Sequence, residues 1–86
     1  MKGRLREDLL EIECYRLAPT EWMRMGTSWV ARTPPNRTYP NGAIADLSNH
    51  EVTANDDGTI TVSPSILVTG IGKWHGYLIN GVWSEV

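Results

Sequence analysis

Apolar and polar residues alternate through much of the second half of the chain with the two-residue period of β-strands. The clearest stretch lies at the C-terminus, where two apolar runs, residues 74–79 and 82–86, flank the dipeptide Asn80-Gly81. A type I′ turn needs positive φ at both central residues, and Asn-Gly adopts this conformation readily. The pattern therefore predicts a two-residue β-hairpin over residues 74–86.

The two-residue turn also predicts the register of this hairpin. The expected cross-strand pairs are Ile79 with Val82, Leu78 with Trp83, Tyr77 with Ser84, and His75 with Val86. Alternation then places on one face His75, Tyr77, Ile79, Val82, Ser84 and Val86. The opposite face carries Trp74, Leu78 and Trp83, with a gap at Gly76. Because both faces present large apolar groups, either the hairpin is buried on both sides or one face is a contact surface.

A second hairpin is predicted upstream, where residues 51–55 and 59–63 flank a turn that ends in Gly58. One face of it carries Val52, Ala54, Ile60 and Val62, and the other carries Thr53, Thr59 and Thr61. This alternation is typical of an antiparallel sheet with one buried face. Pro64 lacks a backbone donor and predicts an interruption of the ladder before residues 66–68 resume it.

Shorter elements are predicted between residues 28 and 47. Residues 28–32 indicate a strand with Trp29 and Ala31 on one face and Val30 on the other. Three prolines make residues 33–42 a stiff, surface-exposed connection. Residues 43–47 then predict a short edge strand.

The N-terminal region is ambiguous, because an apolar stripe at helical spacing overlaps an alternating stretch within residues 4–17. We expect a short helical start followed by a strand at about residues 10–17, which Pro19 closes. Thr20 then predicts the cap of a short helical turn that Gly26 ends.

Together these elements predict a mainly β fold, a small antiparallel sheet of about five or six short strands, with α+β as the alternative if the helical start persists. At 86 residues the chain is expected to form a single small domain, residues 1–86, whose best-defined parts are the hairpins at 50–63 and 74–86. A core this small favours a partner or self-association into a homo-oligomer.

Charge and cysteine content limit the partners, disulfides and cellular location that can be expected of this chain. The net charge is −2, and the arginines of the N-terminal half are interspersed with acidic residues, so nucleic acid is not expected as the main partner. A single cysteine, Cys14, excludes an intramolecular disulfide. Neither a signal peptide nor a membrane-spanning run is visible, so no membrane association and a cytoplasmic location are expected.

No arrangement typical of a catalytic or metal site is evident. Zinc sites use about four ligands, and the nitrogen and sulfur candidates are only Cys14, His50 and His75, at spacings that match no known zinc motif. A serine at 63 or 65 with either histidine supplies the residue types of nucleophilic catalysis, but the spacing favours no such group. We therefore expect no catalytic residues, no metal, no cofactor and no enzymatic activity.

The aromatic residues are the better candidates for function. The chain has four tryptophans and three tyrosines but no phenylalanine, so these rings must also build the core. Aromatic residues and arginine dominate protein-interface hot spots. The predicted contact residues are Trp74, Tyr77 and Trp83 from the hairpin, with Arg37 and Tyr39 from the proline-rich connection.

Residues 58–83 carry two motifs in order, Thr59-Ile60-Thr61-Val62-Ser63-Pro64-Ser65-Ile66 and His75-Gly76-Tyr77-Leu78-Ile79-Asn80-Gly81. They resemble a family of small, uncharacterised domains that phages and prophages encode. That family often has a cysteine before the histidine, and here the position is Trp74, so a metal role implied by the resemblance lacks this ligand. The resemblance implies a compact, β-rich phage-type accessory protein and no known activity.

The resulting hypothesis is a non-enzymatic, phage-type accessory protein that works by protein–protein contact with a host or phage protein in the host cytoplasm. Its most concrete form is a counter-defence inhibitor, similar in role to an anti-CRISPR protein. The alternatives are a small-ligand or metal-binding module that uses His50, His75 and Cys14, and a structural component of a phage assembly.

Overall fold

The computed structural model describes all residues, Met1–Val86, and contains eight β-strands and one short 3-10 helix. The strands are β1 (Arg4–Leu5), β2 (Glu21–Met25), β3 (Ser28–Arg32), β4 (Ile44–Asp46), β5 (Glu51–Ala54), β6 (Ile60–Thr69), β7 (Lys73–Ile79) and β8 (Val82–Glu85). The 3-10 helix spans Glu11–Arg16, between β1 and β2.

The strands form two four-stranded sheets, which we call the N-terminal sheet (β1-β2-β3-β4) and the C-terminal sheet (β5-β6-β7-β8). All neighbouring strands are antiparallel except β1 and β2, which are parallel. The prediction of a mainly β, antiparallel fold is thus confirmed. The strands number eight rather than five or six and are divided between two sheets.

The C-terminal hairpin has the predicted turn and register. Asn80 and Gly81 adopt φ of 48° and 75°, as a type I′ turn requires. The pairs Ile79 with Val82, Leu78 with Trp83 and Tyr77 with Ser84 all form, and the Val86 N–H donates to the His75 carbonyl. Gly76 is needed opposite Glu85, because a Cβ there would collide with the Ser84 carbonyl oxygen and the Trp74 ring.

The main hydrophobic core lies between the two sheets and is built around tryptophan. Its buried members are Trp22, Trp29, Ala31, Ala45, Leu47, Ile60, Val62, Ile66, Trp74, Leu78 and Trp83. The rings of Trp74 and Trp83 meet edge to face, with centroids 5.5 Å apart. Such pairs stabilise beyond the area they bury, and the indole N–H groups need partners. That of Trp83 donates to the Thr20 carbonyl at 2.9 Å and so joins the sheets.

A smaller cluster lies on the other face of the N-terminal sheet, beneath the 3-10 helix. Its buried residues are Leu17, Met23 and Val30, and Cys14 packs against them. Val30 therefore faces away from Trp29 and Ala31, as the alternation in β3 predicts.

The predicted strand at residues 10–17 is wrong, because this segment contains the 3-10 helix. The Glu13 carboxylate accepts a hydrogen bond from the Leu10 N–H at 2.9 Å and closes the first turn. Ile12 in this segment is 81% exposed.

The predicted helical turn at residues 20–26 is also wrong. This segment is strand β2, joined to β3 by the two-residue turn Gly26-Thr27. Gly26 has φ of 62°, the conformation that a type II′ turn needs at its first central position. Gly26 therefore begins a hairpin rather than ending a helix.

The remaining elements agree with prediction more closely. The β5–β6 hairpin forms with Gly58 at φ of 85°, and β4 lies at the edge of the N-terminal sheet. Pro64 does not end a strand but sits within β6, where the register to β7 shifts between Val62 and Ile66. In the connection at 33–42, Thr33 and Pro34 are buried rather than exposed.

Candidate contact surface

One side of the C-terminal sheet faces away from the core and presents an apolar surface. We call it the outer face and define it by Leu67, Tyr77, Ile79, Val82 and Val86, which are 43–76% exposed. The strand pairing brings these residues together. Leu67 and Val86 lie on either side of His75, two positions from Tyr77 along the strand, and Ile79 is opposite Val82. Of the two faces that the hairpin sequence offers, the one with Tyr77 and Ile79 is accessible.

Hydroxyl groups rather than charges surround these apolar side chains. A shallow depression of about 400 Å³ on the same face is lined by Thr61, Val62, Ser63, Pro64, Ser65, Tyr77 and Ile79. By alternation along the strands, the charged residues on this face are Lys73 at the start of β7 and Glu51 on the edge strand. The centre of the outer face is therefore uncharged.

The outer face is held rigid from below. Alternate residues of the same strands, Trp74, Leu78 and Trp83, are at most 2% exposed and fill the core. The sheet is further fixed at its turn, where the Asn80 side chain accepts a hydrogen bond from the Thr61 hydroxyl at 3.1 Å. Little backbone freedom is lost when a surface of this kind is covered.

The structure separates the predicted contact residues of the hairpin into two groups. Trp74 and Trp83 are 0% and 2% exposed, so they have no surface to offer and act as core residues in this structure. Tyr77 is 43% exposed and lies at the centre of the outer face. Leu67 was missed as a surface residue, because the apolar run at 66–68 gives no period that would set its direction.

Tyr39 and Arg37 are placed elsewhere. Tyr39 packs against the main core, and its hydroxyl donates to the Gly72 carbonyl at 3.2 Å. The Asn36 side chain donates to the Lys73 carbonyl and to Glu85, so this loop is anchored to the start of β7 and the end of β8. Arg37 is exposed in the same loop. The structure therefore does not bring Tyr39 onto the outer face.

Both histidines approach Ser65 on β6. The His50 Nε2 lies 3.1 Å from the Ser65 carbonyl oxygen, and the His75 Nε2 lies 3.0 Å from the Ser65 hydroxyl. A serine–histidine pair resembles the start of a nucleophilic site, but such sites also orient the base with a third group. His75 makes no hydrogen bond to a carboxylate, and its other close contact is the Tyr77 ring at 6.4 Å. The pair is a cross-strand hydrogen bond between β7 and β6.

Cys14 does not join the two histidines that approach Ser65, so the three candidate metal ligands do not come together. Cys14 packs in the smaller cluster beneath the 3-10 helix, on the opposite side of the N-terminal sheet from the main core. No group of three or more histidine, cysteine, aspartate or glutamate side chains is arranged to hold a metal ion.

The strongest charge cluster stabilises the N-terminus rather than the outer face. The buried Glu21 carboxylate accepts hydrogen bonds from Arg4 at 2.8 Å, Arg6 at 2.7 Å and the Ala18 N–H at 2.9 Å. Burial raises the pKa of Glu21, but these donors outweigh it and hold the pKa below its ordinary value. Arg6 also pairs with Asp8 and lowers its pKa to about 2. The cluster fixes strand β1 to β2.

Comparison with protein-family models, with curated proteins and with solved structures finds no match to this chain. The helical content is limited to six residues, and no helix has the length and apolar character needed to cross a membrane.

Proposed function

We propose that this protein acts by protein–protein contact, without catalysing a reaction, and that the outer face of the C-terminal sheet is its contact surface. The observation that carries the proposal is the group of five apolar side chains left exposed on a rigid sheet. Scattered single apolar residues are common on surfaces, but a contiguous group marks an interaction site.

The size of the outer face supports this function. The five side chains expose on the order of 500 Å², comparable to the largest patches that monomeric proteins leave open. Covering that area contributes roughly 12 kcal/mol at ~25 cal/mol/Å², against association costs of roughly 4–15 kcal/mol. Apolar burial alone therefore gives modest affinity, and the surrounding serine and threonine hydroxyls supply the rest through hydrogen bonds.

The chemistry of the surface defines the partner that it fits. Because the centre of the outer face is uncharged, its partner presents a predominantly apolar surface with hydrogen-bonding groups at the rim. A charged partner surface would lose hydration without gaining an ion pair.

The sequence resemblance motivates a finer proposal. We infer a phage-type accessory protein that contacts a host or phage protein in the host cytoplasm, in its most concrete form a counter-defence inhibitor. The small size and the rigid surface suit an inhibitor that works by occupying a surface of its target.

The proposal is tested by capturing partners from host lysate with immobilised protein, comparing the natural chain with Ile79→Asp. The substitution places an unpaired charge among the apolar side chains of the outer face, and we expect loss of the captured partner. Ile71→Asp is the matched control, because Ile71 is 87% exposed but lies in the loop between β6 and β7. This variant should capture the partner as well as the natural chain does.

The captured protein must then bind in purified form with the same dependence on position 79. Equal capture by both variants would show that the outer face is not the contact surface. Sedimentation of the purified chain tests whether its partner is a second copy, in which case Ile79→Asp converts a dimer to a monomer.

A further inference from the structure

The open edge of strand β5 is a second feature that the outer face does not explain. Strand β5 (Glu51–Ala54) pairs with β6 alone, so its other edge has no partner strand. The outer edge of β8 is covered, since the Gly3 N–H donates to Gly81 and the Trp83 N–H donates to Met1. The edge strands of the N-terminal sheet, β1 and β4, have only two and three residues. β5 is therefore the longest edge strand that is left open.

Backbone groups of two residues point out of this edge. In an antiparallel ladder, hydrogen-bonded pairs alternate with pairs that share no bond. The Asn55 N–H donates to the Thr59 carbonyl at 2.8 Å, so the next bonded pair is Thr53 with Thr61. Val52 and Ala54 thus direct their N–H and C=O groups away from β6, where an added strand would find them.

Two recesses lie beside the same edge, and we call them together the seam groove because they follow the gap between the sheets. The larger, of about 380 Å³, reaches Leu47 and His50, and the smaller, of about 280 Å³, reaches Leu5 and Ile60. Val52 lines the first and Ala54 the second. The side chains of β5 that face the groove thus belong to the residues whose backbone groups are free.

Arg24 and Trp29 line both recesses, and Arg24 gives the groove a positive charge. The Arg24 guanidinium lies 4.9 Å from the centre of the Trp29 ring. Whereas Arg4, Arg6 and Arg16 are paired with carboxylates, Arg24 has no ion pair. No aspartate or glutamate lines either recess. The seam groove therefore holds one arginine that has no ion pair and lies over the ring of Trp29.

We propose that the β5 edge binds an extended segment of a partner protein by strand addition, with its acidic side chain on Arg24. An apolar side chain of the segment, two positions away from the acidic one, fills the smaller recess. Main-chain bonds to Val52 and Ala54 supply affinity, and the two side chains supply specificity.

The test selects binders from a library of random twelve-residue peptides displayed on mRNA, against the full chain, and measures affinity of the enriched peptides by fluorescence anisotropy. We expect enrichment of an apolar residue and an aspartate or glutamate separated by one position. Arg24→Gln should weaken binding at least about tenfold, because a charge-assisted bond is lost. Ala54→Pro should weaken it similarly, since proline removes a donor that β6 does not use.

Each variant is first checked for an unchanged near-ultraviolet circular dichroism spectrum. Arg24→Lys is the conservative variant, which keeps the positive charge and should keep part of the affinity for the peptides. Ile79→Asp should leave peptide affinity unchanged, which separates this proposal from the proposed function of the outer face. No enrichment over the bare support would overturn the seam-groove proposal. So would peptides whose binding is insensitive to Arg24→Gln, or whose binding depends on Ile79.

Discussion

At the scale of residues, neighbouring aromatic side chains in one hairpin have different roles. Trp74 and Trp83 are buried against each other between the sheets, while Tyr77 is 43% exposed on the outer face. From the sequence alone, all three are predicted contact residues. The chain has no phenylalanine, so its tryptophans and tyrosines must serve in the core as well as on the surface. Only the packing of the second sheet decides which face of the hairpin is covered.

We predict that Trp83→Ala lowers the free energy of unfolding by about 3–5 kcal/mol, through lost burial and the cavity it leaves. Tyr77→Ala should cost less than about 1 kcal/mol, because most surface positions tolerate substitution. Urea denaturation followed by circular dichroism measures both. Similar losses for the two variants would contradict the assignment of Trp83 to the core and Tyr77 to the surface.

Thr20 is strained, with φ of 79° in a conformation that β-branched residues rarely adopt. It is held there because its N–H donates to the Arg32 carbonyl and its carbonyl accepts from Trp83. Glycine adopts this conformation without strain, so Thr20→Gly is expected to raise the free energy of unfolding by roughly 0.5–1 kcal/mol. Thermal denaturation provides the measurement, and a clear fall in midpoint would show that the Thr20 side chain stabilises more than its backbone strain costs.

At the scale of elements, hairpins with local turn signals were predictable and the N-terminal elements were not. Asn80-Gly81 and Gly58 specify their turns within a few residues, so register followed directly from the sequence. Gly26 also specifies a turn, and the Gly-Thr pair between Met25 and Ser28 is the signal that would have predicted the β2–β3 hairpin. Strand β1 depends on Glu21, which lies 17 residues after Arg4, and no local pattern reports such a contact.

Two turn glycines provide a matched test of turn chemistry. Gly26 and Gly81 both have positive φ, but a Cβ on Gly26 meets no atom within 4 Å, whereas one on Gly81 would lie 2.8 Å from the Thr59 methyl group. Gly26→Ala should therefore cost about 1 kcal/mol from backbone strain alone, and Gly81→Ala should cost more. If urea denaturation showed equal losses of stability, the close packing against Thr59 would add nothing to the cost of Gly81→Ala.

At the scale of the whole molecule, carboxylates with lowered pKa values make stability depend on pH. Glu21 and Asp8 titrate lower in the folded chain than in the unfolded chain, so the folded state binds fewer protons. Their contribution is present above the unfolded pKa of about 4 and is lost as the pH falls through the folded values, to about 2 for Asp8. We predict nearly constant stability from about pH 7 to 5 and a decline below about pH 4.

Glu21→Gln identifies the main source of this decline. It should cost about 2–4 kcal/mol at neutral pH, because two arginines lose their shared carboxylate in a partly buried site. It should also flatten the dependence of unfolding free energy on pH below about 4. Urea denaturation of both proteins across this range is the measurement. An unchanged acid dependence in the variant would assign the effect to other carboxylates.

The whole molecule also determines which parts of the candidate site the sequence could reveal. The sequence placed Tyr77, Ile79, Val82 and Val86 on one face, because a two-residue turn fixes alternation on both strands. It could not add Leu67, whose direction depends on the register shift between Val62 and Ile66. Nor could it find the seam groove, because Leu5, Trp29 and Ile60 come together only when the two sheets pack.

Site-specific photo-crosslinking in living cells tests most directly whether a partner contacts the outer face. A benzophenone amino acid is placed at Tyr77 in one variant and at Tyr15 in another, since Tyr15 is 67% exposed on the 3-10 helix. We predict a discrete crosslinked partner from position 77 and none from position 15. Crosslinking from position 15 alone, or equally from both, would contradict the assignment of the outer face as the contact surface.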